Sequence, residues 1–306
     1  MSHYEDAGPA PSAQARDRLG RRMSPAGLVR RRLARARGGQ AGLAVLVLLI
    51  GSAALAPLLG PEGPTRMDLL NRLQPPSPAH LMGTDAFGRD ILSRVVFAGR
   101  VSLLIGVLAV AIGGTVGVAF GAVTGFRGGW ADHTVMRAMD ALQSFPAVLL
   151  AMAVMGALGT GLLNLMLAVG VTSVPAFARI TRSGVLATRE LDFVHAARAL
   201  GAAPGHVLWR HVFPNSLAPV IVAATLQVAS SILAASSLSF LGMGIQPPTP
   251  EWGSMLAQGR GYIERAPWLT AFPGLAIMLA VMGFNLLGDA LRDAMDPASG
   301  GSGARR

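Results

Sequence analysis

Three histidines, His195, His206 and His211, are the His residues beyond position 133, and all lie in one stretch, ELDFVHAARALGAAPGHVLWRHVFPN (Glu190 to Asn215). Imidazole could ligate a metal or serve as a general base. Neither use is supported here, because no carboxylate stands at metal-ligand spacing beside them and HExxH is absent. No Ser occupies a GxSxG elbow. The chain has no Cys, hence no disulfide or thiolate metal site. It also has no Lys, and a Walker A loop needs one on the nucleotide phosphates. The residues therefore predict no catalytic group, no metal and no cofactor. If ATP drives this protein, another chain must bind it.

The same stretch carries a mechanical pattern instead. Phe193, Ala197 and Leu200 recur at helical spacing and form one apolar stripe. Glu190 and Asp192 place negative charge at the start of that helix, where the dipole favours it. Gly201 stands where a glycine would close the helix, and Pro204 can open a second one. Arg189, Arg198 and Arg210 keep the stretch out of the bilayer. The pattern reads as a helix–turn–helix outside the membrane, either docking on a partner or simply packing under the spans.

The elements that must hold this loop are apolar. The chain has 306 residues, 52% hydrophobic and 14% charged, with a mean hydropathy of +0.49. Six runs reach a length that can cross ~30 Å of hydrocarbon. They cover about 41–59, 101–125, 138–157 (bent at Pro146), 162–180 (with Pro175 near its end), 217–241 and 271–291. A short polar turn is expected over 126–137, and external segments over 60–97 and 242–270. Residues 1–40 read as a disordered, Arg-rich tail and 292–306 as a second tail. A cleavable signal is the rival reading of the first run, on Ala54-Leu55-Ala56, but its basic region is too long. The net charge of +10 rests on Arg alone. Of 26 Arg, 19 fall in segments that are cytoplasmic if both termini are inside, and 7 in the external ones. That is the positive-inside bias, which explains the charge better than nucleic acid does.

Within the spans, Gly113, Gly117, Gly121 and Gly125 repeat GxxxG without a gap. Small residues at that spacing let two helix backbones approach in lipid, so this is a candidate packing face. Gly106 lies off that register and should matter less. The fifth span is uncharged but holds Gln227, Ser230, Ser231, Ser236 and Ser237. Gln227, Ser230 and Ser231 could line a wet path or bond a neighbouring helix. A proton-coupled carrier would place acids or His inside its bundle. Their scarcity argues for an external energy source, with a membrane enzyme or a passive channel as weaker alternatives.

Ala196-Ala197, Gly201 and Phe213-Pro214 resemble the cytoplasmic EAA loop of ABC importer permeases, with His195 where that motif has Glu and Phe213 where it has Leu. Further stretches resemble the second (C-type) permease of the dipeptide/oligopeptide/nickel subfamily. These are GTDAFGRDILSR from Gly83, GGWADHTVMRAMDALQSFP from Gly128, LSFLGMGIQPPTPEWGSML from Leu238 and NLLGDALRDAMDP from Asn285. The resemblance implies an all-α fold of six spans, the type I importer permease fold, with the permease domain over 98–291 and an extra first span and loop over 41–97. It implies a bacterial plasma membrane protein that imports peptides or nickel. Implied partners are a homologous permease, two ATPase subunits and an external binding protein, besides membrane lipid. It casts the loop 190–214, through Asp192, His195, Ala196, Ala197, Gly201 and Pro214, as the element that couples ATPase to path.

Overall fold

The computed structural model describes residues 36–61 and 63–296, with Gly27, Arg32 and Leu33. Most of the expected 1–40 tail and the end of the 292–306 tail lie outside the described residues. Among the described residues the regular structure is helical, and the one β-bridge, Thr84 to Asp90, stands alone. In lipid a helix satisfies every backbone group within itself, so an apolar chain with Arg-marked ends folds this way.

Helix α1 spans Arg37–Ala54. Helix α2 spans Ile91–Arg127, 37 residues. At ~1.5 Å per residue it is far longer than the hydrocarbon is thick. Its first turns, from Ile91, take in the end of the segment expected to be external over 60–97. The Asp90 carboxylate caps it, accepting from the Ser93 amide at 2.8 Å. Gly128 and Gly129, at φ 66° and 64°, reverse the chain at its other end.

The expected polar turn over 126–137 is instead the start of helix α3, Gly129–Ser144. Helix α4, Ala147–Leu158, follows at an angle of 95°. The expected third span is thus two helices meeting at a break. Pro146 pushes its predecessor to extended backbone, and Phe145 has φ −88° and ψ 138°. With 12 residues, α4 alone reaches only ~18 Å.

Helix α5, Leu162–Arg189, contains Pro175 and runs well past the expected end near 180. Helix α6 is Asp192–Ala199, α7 Leu217–Phe240, α8 Trp252–Gly259 and α9 Trp268–Met295. Five helices, α1, α2, α5, α7 and α9, are long and apolar enough to cross a membrane, and the bent α3–α4 pair makes a sixth if counted as one span.

Glycine sets two helix–helix contacts. A Cβ on Gly117 would stand 2.5 Å from the Val174 carbonyl of α5, and one on Gly125 3.0 Å from the Arg182 carbonyl. Gly113 and Gly121 face Gly170 and Ala178 of the same helix, closer still. Gly106 departs from expectation, since its Cβ would lie 2.6 Å from Ile232 of α7. Between α1 and α9, Gly42 sits 2.8 Å from the Gly283 carbonyl by the same measure.

The segments expected to be external are held by side-chain bonds. Asp85 accepts from the Phe87 and Arg89 amides and from Arg89 Nε at 2.7 Å. Arg89 and Arg94 both reach Gln258 of α8. Trp252, 1% exposed, donates from its indole to the Val95 carbonyl of α2 at 3.0 Å. These contacts join the start of α2 to α8.

Candidate functional site

The loop between α5 and α7 is built from backbone chemistry. Helix α6 begins after an extended Leu191 and ends at Gly201, φ 81°. The Gly201 amide donates to the Arg198 carbonyl at 3.0 Å and the Ala202 amide to that of Ala197 at 3.1 Å. This is a Schellman closure, which needs a left-handed residue at that point. Pro204 then occupies the first position of a helix that runs Pro204–His206, a π-helical Val207–Val212 and Phe213–Asn215, the last holding Pro214. The wide π turn rotates Trp209 against Phe213, ring centroids 5.0 Å apart.

One face of α6 ties the loop to the spans. Val194 is fully buried and packs in a small core with Ala122 of α2, Val185 of α5 and Val207 and Val212. Arg189 donates to the Gly125 carbonyl at 2.8 Å and to Glu190 at 2.9 Å, which pins the loop's entry to the end of α2. The other face is open. Leu191, Phe193 and Leu200 are 48%, 45% and 89% exposed. Asp192 and Ala196 are exposed and Ala197 is half-buried. His195 is exposed, its Nε2 3.9 Å from Glu190. His206 and His211 meet edge to face at 5.5 Å. Among the described residues no group of three His, Cys, Asp or Glu is placed to hold a metal.

The fifth-span residues separate. Ser231 is buried and its hydroxyl has no partner among the described residues. Gln227 is half-buried, while Ser230 and Ser237 are exposed on one side of α7. Leu233, between those two serines, lines a groove of about 610 Å³ with α9 residues that include Asn285 and Asp289. Both fall in the stretch from Asn285 that carries the family resemblance.

Outside the spans, Glu251 is 1% exposed and caps α8, accepting from the Gly253 and Ser254 amides at 2.8 Å each. Burial raises its pKa above the ordinary carboxylate value, against the lowering effect of those bonds.

A profile of the family described as "Binding-protein-dependent transport system inner membrane component" matches residues 117–300. A second, "N-terminal TM domain of oligopeptide transport permease C", matches 24–76 and so begins within the expected 1–40 tail. The dipeptide transport system permease protein DppC of Alkalihalophilus pseudofirmus is 45% identical over 256 residues, 84% of each chain. The probable D,D-dipeptide transport system permease protein DdpC of Escherichia coli is 44% identical over 84% of this chain and 86% of its own. The glutathione transport system permease protein GsiD of Pectobacterium atrosepticum is 45% identical over 84% and 85%. A solved chain of the MetNI methionine ABC transporter, inward facing, has a TM-score of 0.55 at 19% identity, covering 66% of this chain and 96% of that one. That likeness concerns the fold.

Proposed function

Because the chain belongs to the family of binding-protein-dependent transport system inner membrane components, as a C-type permease of an ABC importer, we propose that it moves short peptides with ATP hydrolysed on separate subunits. The family is one of transport permeases and not of enzymes. The peptide cargo is inferred from relatives named for dipeptide, D,D-dipeptide and glutathione transport. Nickel, the other cargo of the resembling subfamily, has no such support. A homologous permease would complete the path, two ATPases would dock on the cytoplasmic side, and an external binding protein would deliver the cargo.

The observation that carries the coupling role is the two-faced α6. Its inner face is locked to α2 and α5 through Val194 and Arg189, while Leu191, Phe193 and Leu200 stay open. An exposed apolar set on a rigidly tethered helix is suited to receive a partner and pass its displacement to the spans. The test is uptake of a labelled dipeptide by the reconstituted importer, run beside its ATPase rate. Phe193→Asp should leave the permease inserted but reduce uptake at least tenfold. Full uptake at normal protein level overturns the coupling role.

A further inference from the structure

The loop before α2 is folded back and held by its own backbone. The Asp68 amide donates to the Phe87 carbonyl at 3.2 Å, and the Leu73 amide to that of Asp85 at 3.0 Å. The Asp68 carboxylate accepts from the Leu70 amide at 3.2 Å and from Asn71 Nδ2 at 2.9 Å. Gly88, φ 72°, lies so close to the Asp68 carbonyl that no Cβ would fit there. Met67, Leu69, Leu70 and Phe87 leave this loop 56%, 64%, 93% and 47% exposed. Arg66 and Arg72, also exposed, stand on either side of the leucine pair.

Lipid does not account for these side chains. Arg100 of α2 donates to the Ala53 and Ala54 carbonyls at 2.6 and 2.9 Å, so it stands level with the end of α1. No charged residue follows it in α2 until Arg127. The 18 residues of α1 reach ~27 Å, close to the thickness of the hydrocarbon. Arg100 therefore marks one edge of the hydrocarbon. Ile91, whose amide bonds the Gly83 carbonyl, is ~14 Å further out along α2. The headgroup layer is only ~5–8 Å deep, so the loop stands in water. An apolar set there, held rigid beforehand, is suited to a protein partner rather than to lipid.

We propose that Met67, Leu69, Leu70 and Phe87 form the contact centre on which the external binding protein seats, and that the matching face of that protein is apolar and ringed by Asp or Glu. The inference rests on the reading above that such a protein delivers the cargo. Arg66 and Arg72 supply the complementary charge at the rim, where charge acts on the rate of encounter more than on the hold.

The test uses the reconstituted importer with the soluble binding protein that it needs for dipeptide uptake. Leu70→Asp should raise the half-saturating concentration of that protein at least tenfold, and uptake should return when more is added. Arg66→Glu with Arg72→Glu should slow association about tenfold at low salt and by less at high salt. Half-saturation within twofold of the unaltered importer in Leu70→Asp overturns the surface. If Leu70→Asp takes up nothing at any concentration, Leu70→Cys decides, since the chain has no other thiol. A membrane-impermeant maleimide should modify it, and saturating binding protein should slow that reaction at least tenfold. Equal rates overturn the surface. No reaction in the importer alone means that the second permease covers the patch, and overturns it too. Uptake that needs no binding protein overturns the delivery reading and this proposal with it, whereas the Leu70 outcomes bear on the surface alone.

Discussion

Gly201 holds a backbone conformation that residues with a Cβ adopt at a cost of ~1–2 kcal/mol. Its φ is 81°, and the space around it is open, so the penalty there is conformational rather than steric. Gly201→Asp should loosen the closure of α6 and cut ATP-dependent uptake about tenfold while membrane levels stay normal. Uptake within twofold of the unaltered protein would sink the role of this turn. His195→Ala should be nearly neutral, because the side chain is 52% exposed and makes only a distant contact with Glu190. This turn was legible from sequence, since Gly and Pro act through local backbone chemistry. The state of Glu251 was not, because its burial depends on the remote Ser102 of α2 being brought to it. Its raised pKa has a definite sign for stability. The penalty for ionising it is absent below the unfolded value of 4.5 and grows as pH rises through the higher folded value. Thermal unfolding of the purified protein should therefore fall less steeply with rising pH in Glu251→Gln. An unchanged slope would remove Glu251 from that balance.

At the scale of elements, the glycine register and the proline break differ in how far sequence could reach. GxxxG spacing alone marks the side of α2 that meets α5, because the helical period fixes which residues share a face. Gly117→Leu should force the two helices apart and lower the yield of assembled complex on size exclusion several-fold. Gly106 cannot serve as its neutral control, since it packs on Ile232. Gly156 can, having no atom within 4 Å of its would-be Cβ. Equal yields from Gly117→Leu and Gly156→Leu would remove the packing face. Pro146, by contrast, announces a missing N–H but not a 95° bend. That angle is held by contacts remote in sequence. Asp132 meets Arg182 twice, at 2.5 and 2.6 Å, and Asp140 meets Arg179 at 2.5 Å, joining α3 to α5. Asp132→Arg should cut uptake, and Arg182→Asp in the same chain should restore part of it. Failure of the double variant to recover would show that the pair is not what sets the arm.

For the whole molecule, the count of spans depends on treating α3 and α4 as one unit, and orientation tests that treatment. With six crossings both termini lie on one side, and the Arg distribution, 19 of 26 against 7, predicts that side to be the cytoplasm. If α3 and α4 returned to the side they started from, only five crossings would remain and the ends would be on opposite faces. Everything after Gly159 would then be inverted, including the loop around Gly201. The join of α2 to α8 gives a second constraint on the same question. Arg89, which also bonds Asp85, and Arg94 of α2 both meet Gln258 of α8, so residues near 85 and near 258 must share a side. An odd number of crossings between them would contradict that contact. Between them lie α2, the α3–α4 unit, α5 and α7, an even number only if the bent pair crosses. Reporter fusions after Gly60 and Pro250 should therefore both read external, and fusions after Gly128 and Gly201 cytoplasmic. A cytoplasmic signal at Pro250 with an external one at Gly60 would mean that the bent pair does not cross, and would take the coupling loop out of reach of ATP.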